Sequence, residues 1–235
     1  MKRFHDVSVT LIFAIITLVA FLNITPAYAQ QANRAAESQI IFQWAFGSIK
    51  NTSRGPQFEV ITRDTAMKTG DQIKFYIKVK NNCFVYLIYQ SSQGDLSVLF
   101  PYRFKMMAKD YQTSRHYYIP KGEQWFELDE FTGTERFYLL ASAERLYDLE
   151  ALVNQYESAD KVKKTGLGQK AIGEIRKLRK QHRKFKAYAE KPVTIIGNMR
   201  GTEKTKAVGL NDLADYAVEI SAKIFFSRTF TIDHK

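Results

Sequence analysis

Only one of the 235 residues, Cys83, is a cysteine. A single thiol excludes an internal disulfide framework and a four-cysteine zinc site. No cysteine follows the apolar run near the N-terminus, so a lipid attached at a cleavage-point cysteine is excluded as well. Histidine is scarce too: beyond residue 29 there are only His116, His182 and His234, without the paired spacing of metal ligands. Neither a G-x-S-x-G elbow nor an H-E-x-x-H helix occurs. The stretch Gly166, Leu167, Gly168, Gln169, Lys170 lacks both the spacing and the preceding strand of a phosphate loop. Cys83 sits in an apolar strand pattern, where a thiol reads as a small inert hydrophobe rather than a nucleophile paired with His116. These absences lead to the expectation of a protein that is not an enzyme and needs no cofactor and no metal.

What is present begins with an address. Lys2 and Arg3 precede an apolar run from Val7 to Leu22, and Pro26, Ala27, Tyr28, Ala29 close it with an A-x-A pattern. This is the pattern of a cleaved export signal, with an uncleaved anchor as the rival, because Val7 to Ile24 approaches the length of a spanning helix. The flanks favour cleavage after Ala29, which implies a periplasmic or secreted product with no integral membrane span after cleavage. Charge then divides the chain. From Lys161 to Lys191 there are 12 basic residues against only Glu174 and Glu190, while the rest of the chain after Ala29 carries 21 charges of each sign. The net +11 of the whole chain is therefore largely local.

Between Gln39 and Ser142 the hydrophobic period is two. Ile73, Phe75, Ile77 and Val79 alternate with polar neighbours, which predicts a strand with one face buried and one wet. Asn81 and Asn82 turn the chain into Cys83 to Tyr89, apolar on both faces and so a central strand, and Gly94 and Asp95 lead into Leu96 to Phe100. This order predicts an antiparallel meander. Further strands are expected at Phe58 to Arg63, Tyr117 to Pro120, Gln124 to Leu128 and Arg136 to Ala141. At Ser142, a good N-cap, the period becomes helical: Leu146, Leu149, Leu152, Val153 and Tyr156 form one stripe. Gly166 and Gly168 interrupt it, and Ile172, Ile175, Leu178 and Phe185 continue a second stripe until Pro192. Strand character returns at Val193 to Ile196 and Ile224 to Ile232, with a short helix at Leu210 to Ala217 between them. The expected fold class is α+β: an antiparallel β-sandwich, immunoglobulin-like or related, with a C-terminal helical hairpin and a returning C-terminal strand. The expected divisions are a signal peptide at 1–29, a sandwich module at 30–145, a basic helical hairpin at 146–191, and strands with a short helix at 192–235.

The run Gly70, Asp71, a strand, Phe84 to Tyr89, Gly94, then Val98, Leu99, Phe100, Pro101 resembles the bacterial domain of unknown function 4384. Ile119 and Pro120, Phe126 to Leu128, and Gly133, Thr134, Glu135 leading into Leu140, Ala141, Ser142 continue the same order, so the resemblance spans roughly Ile61 to Leu146. Tyr102 stands where the family often has Asn, and no glycine stands just before His116. The resemblance implies a small β-rich module of exported or signalling proteins and supplies no catalytic residue.

Two surfaces are candidates for binding. Arg176, Lys177, Arg179, Lys180, Arg183 and Lys184 surround a narrow apolar stripe and form a field that attracts an anionic partner. Tyr102, Arg103, Phe104, Tyr111, Arg115 and His116 interleave aromatic and cationic side chains in one long loop, a mixture able to clasp a glycan or peptide. The functional expectation is an exported noncatalytic binding or adaptor module of the bacterial cell envelope. Its partner would be an envelope protein, an anionic lipid surface or a cell-wall polymer, and not nucleic acid. The alternatives are an envelope hydrolase with an unrecognised site and a structural subunit of an envelope complex.

Overall fold

Twelve strands run through the described residues. The computed structural model describes residues 40–109, 111–183, 188–193 and 210–235, so the expected signal peptide at 1–29, Lys184 and Phe185 lie outside the described residues. In chain order the strands are β1 (Ile40–Thr52), β2 (Gly55–Val60), β3 (Thr65–Met67), β4 (Gln72–Val79), β5 (Phe84–Gln90) and β6 (Leu96–Phe100). They continue as β7 (His116–Ile119), β8 (Phe126–Glu127), β9 (Gly133–Ser142), β10 (Ala189–Pro192), β11 (Val218–Ala222) and β12 (Phe225–His234). The helices are α1 (Met106–Lys109), α2 (Tyr147–Ser158) and α3 (Lys161–Gln181), and a 3-10 turn covers Leu210–Tyr216.

One sheet runs β10-β11-β1-β4-β7, with β2 also on β1 and β8 also on β4, and the second runs β3-β12-β9-β5-β6. All pairs are antiparallel except β3 with β12. Alternation on β1 sends Ile40, Phe42, Trp44 and Phe46 inward, and these rings meet Phe226, Phe230 and Phe137 of the second sheet at 5.0 to 5.4 Å. The two sheets therefore enclose one aromatic core. A second core lies on the other side of the second sheet, where Tyr86, Ile88, Tyr138, Leu140 and Phe225 receive Leu149, Val153, Tyr156, Ile172, Ile175 and Leu178 of α2 and α3. Because β5 has a core on each side, it is apolar from Phe84 to Tyr89.

The expected meander does not form. β4 and β5 follow each other in sequence but lie in different sheets, so of β4, β5 and β6 only the last two pair as a hairpin. The Asn81 corner drives the change of sheet: its side-chain oxygen accepts from the Ile41 N–H at 2.9 Å, and its carbonyl accepts from the Cys83 N–H at 2.8 Å. The outer face of β4 is also not wet. Tyr76 is covered by Ala45, Leu213 and Ala217, and Lys74 is fully buried. Gly47 permits this second layer, since a Cβ there would stand 2.8 Å from both Leu213 and Phe58.

The helix boundaries also shift. Ser142 belongs to β9, and α2 starts at Tyr147 with Leu146 at the N-cap and no side-chain cap. The break between the helices falls at Ala159 and Asp160, not at the glycines, because Asp160 caps α3 by accepting from the Lys163 N–H at 3.0 Å. Gly166 and Gly168 are inside α3. That helix ends at Gln181 rather than at Pro192, which instead closes the edge strand β10, where a missing N–H is tolerated. Val193 follows β10, and residues 194–196 lie outside the described residues. The chain does return at its end, β12 lying between β9 and β3.

Candidate ligand-binding cleft

The loop between β6 and β7 folds back along the outer edge of β7 and leaves a cleft of about 570 Å³. Four of the expected loop residues line it: Tyr102, Arg103, Arg115 and His116. Lys105 and Lys121 add two more cations, and none of the described lining residues carries a carboxylate. Phe104 and Tyr111 turn away. Phe104 packs toward the helical core, while Tyr111 stacks on Phe84 and Tyr117 and its hydroxyl accepts from the Val85 N–H at 2.8 Å. Both aromatics fasten the loop to the fold, so they hold the cleft in shape rather than face it.

Within the cleft the polar groups are fixed. The Tyr102 hydroxyl donates to the Tyr118 carbonyl at 2.6 Å, and burial pushes its pKa up to about 12, so it remains a donor at neutral pH. Lys121 Nζ stands 4.1 Å over the Tyr102 ring, and Arg115 lies 5.8 Å from the Tyr117 ring centre. His116 Nδ1 is 3.2 Å from the Tyr76 hydroxyl; partial burial and then the Lys78 charge lower the imidazole pKa from its usual value.

Lys74 is the supporting residue that the alternation hides, since it belongs to the polar series of β4. Its ammonium donates to the Gly122 carbonyl at 2.8 Å and to the Gln124 carbonyl, with the Trp125 ring 5.7 Å away. It thereby ties down the segment that brings Lys121 and Gly122 to the cleft wall. Burial lowers its pKa to about 8, with Glu123 acting in the opposite sense.

The basic helix is a separate surface. Arg176, Lys177, Arg179, Lys180 and Arg183 are all exposed. Lys177 pairs with Glu174 at 3.1 Å, and Arg179 donates to the Thr229 hydroxyl at 3.2 Å. Arg176 leaves the others and joins Lys161, Lys164 and Gln169 around a depression of about 500 Å³ beside the β5–β6 turn.

The nucleophile reading of Cys83 finds no geometry. The thiol faces the Ile41 carbonyl at 3.8 Å, and burial pushes its pKa up to about 12. A hydroxyl, an imidazole and a carboxylate do converge elsewhere: Thr69 Oγ1 is 3.1 Å from His234 Nε2, and His234 Nδ1 is 4.0 Å from Glu135 Oε1. Yet Thr69 donates to the Asp129 carbonyl at 2.9 Å and Glu135 accepts from Tyr89, so these groups brace the chain end. Among the described residues no cluster of three or more histidine, cysteine or carboxylate side chains could hold a metal ion, and no helix is long and apolar enough to cross a membrane.

Residues 66–145 match the family described as a domain of unknown function, DUF4384. The DUF4384 segment runs from β3 through β9 and contains Lys74, Cys83 and every described lining residue of the cleft. The basic helix α3 lies outside the DUF4384 segment. No curated protein and no solved structure matches the chain.

Proposed function

We propose that this protein is an exported binding or adaptor module of the bacterial cell envelope that engages an anionic partner through the Tyr102 to Gly122 cleft. The observation that carries the proposal is the convergence of Arg103, Lys105, Arg115 and Lys121 on one concave surface without an opposing carboxylate among the described lining residues. Such a surface concentrates field lines and favours anions at a distance. The export pattern of residues 1–29 supports the compartment, and the noncatalytic reading is supported by the missing catalytic motifs and by the burial of the Cys83 thiol against the Ile41 carbonyl. The same reading treats the facing sheets as an immunoglobulin-related sandwich, which the mostly antiparallel pairing and the β4-to-β5 change of sheet support.

The test is capture of dextran sulfate by residues 30–235 and by the Arg103→Gln, Arg115→Gln, Lys121→Gln variant, with the salt concentration varied. Wild-type capture should fall as the Debye length shrinks from about 10 Å at 0.1 M to about 3 Å at 1 M. The variant should capture several-fold less at low salt. Equal capture by the two proteins would remove the cleft from the function.

A further inference from the structure

The cleft has a backbone edge as well as a charge. β7 ends its sheet, pairing with β4 on one side and with no other strand among the described residues. Two hydrogen bonds establish which way its peptide groups point. The Val79 carbonyl accepts from the Ser114 N–H, and the Lys80 N–H donates to the Ile41 carbonyl, so odd-numbered residues of β4 face β7 and even-numbered ones face β1. In an antiparallel ladder the residues opposite Phe75 and Ile77, namely Ile119 and Tyr117, turn toward β4. His116 and Tyr118 therefore turn their N–H and C=O groups outward, into the cleft. The Tyr102 hydroxyl on the Tyr118 carbonyl agrees with this direction.

Resting on the anionic-partner reading, we infer that the cleft takes an extended acidic peptide segment of a partner protein, added as a further strand along β7. The ring faces argue against a sugar. Lys121 covers a face of Tyr102, whose ring also lies T-shaped to Phe100 and Tyr117, while Tyr111 stacks on Tyr117 and Arg115 lies over it. A stacking platform for a pyranose is thus already occupied, whereas an outward-facing backbone gives main-chain affinity to any extended chain. The cations supply the selection. Arg103, Lys105, Arg115 and Lys121 repel the edge of a second copy of this protein and attract glutamate or aspartate on a strand laid beside them. Tyr102 acts as a placeholder: its hydroxyl satisfies the Tyr118 carbonyl until a peptide N–H replaces it.

The probe is a ten-residue peptide alternating glutamate and threonine, compared with the same peptide N-methylated at alternate residues, which keeps its charge and loses half its donors. Binding to residues 30–235 is followed by calorimetry and by amide exchange. The parent peptide should slow exchange at the His116 and Tyr118 amides, and N-methylation on the pairing side should weaken binding at least tenfold. Tyr102→Phe, which keeps the ring packing and removes the competing hydroxyl, should tighten the parent peptide several-fold. Equal affinity of the two peptides, or binding without protection at His116 and Tyr118, would overturn strand addition. If dextran sulfate capture still depends on Arg103, Arg115 and Lys121 in that case, the anionic-partner reading survives. Loss of both results would remove both.

Discussion

Lys74 shows how a single side chain joins stability to the site. Its stem is sealed inside the first sheet, and its ammonium holds two carbonyls of the segment that walls the cleft. Burial lowers the folded-state pKa to about 8 from the ordinary 10.5. Between these values the folded lysine has released its proton while the unfolded one retains it, so the unfolded chain binds more protons and stability rises with pH. Urea unfolding of the wild type and of Lys74→Met, compared from about pH 7.5 to about pH 10, should show the wild type gaining on the variant as pH rises. The penalty is fully present below about pH 8 and relieved toward 10.5. A difference that stays flat would mean that the ammonium remains charged throughout. This residue was illegible in the sequence because alternation assigns Lys74 to a wet face. Only the fold shows that Trp125 and the β7–β8 connection cover it. Tyr111 and Phe104 failed in the converse way: an aromatic in a cationic loop reads as a ligand contact, and tertiary packing turned both inward.

Tyrosine hydroxyls join α2 to the second sheet. The Tyr86 hydroxyl on β5 donates to Glu150 Oε1 at 2.8 Å and accepts from the Leu146 N–H at 2.9 Å, thereby fixing the start of α2. Tyr156 on α2 returns the contact, donating to Asp95 at 3.1 Å and accepting from the Leu96 N–H at 3.0 Å at the start of β6. Since Leu146 has no side-chain cap and Glu150 is buried beside Arg145, Tyr86→Phe leaves a helix-start N–H and a carboxylate oxygen short of partners. The expected loss is about 1–3 kcal/mol by denaturant unfolding, the scale of an unsatisfied buried group. Tyr138→Phe, which gives up only a bond to the half-buried Gln90, should cost less. A run apolar on both faces and the Gly94–Asp95 turn made β5 and β6 legible, and Gly70 and Gly94 do adopt φ of +84° and +90°. Which strand pairs with which was not legible, because local periodicity reports a buried face and not the neighbour that buries it. The N-cap at Ser142 failed for the same reason: β12 pairs with β9 through Ser142 and keeps it extended.

At the scale of the molecule the second sheet is a middle layer. Val85, Leu87, Phe137 and Leu139 face the first sheet, while Tyr86, Ile88, Tyr138 and Leu140 face the helices, so β5 and β9 supply both cores in alternation. The described residues from Ile40 to Lys235 accordingly form one compact unit. The helices should therefore behave as a layer of the fold and not as an appendage that melts alone. Leu178→Ala removes a buried α3 side chain and should cost about 2–5 kcal/mol through lost burial and the cavity left behind. If the layers are one cooperative unit, that substitution lowers the thermal midpoint seen by helical circular dichroism and by the aromatic signal of the sheets to the same extent. Leu87→Ala, placed between the sheets and fully buried, should do the same from the other side. A helical signal that falls early in Leu178→Ala while the aromatic signal keeps its wild-type midpoint would divide the layers. The cleft would then lose only the anchorage that Phe104 makes in the helical core, since its walls come from the β6–β7 loop, β7 and the segment held by Lys74.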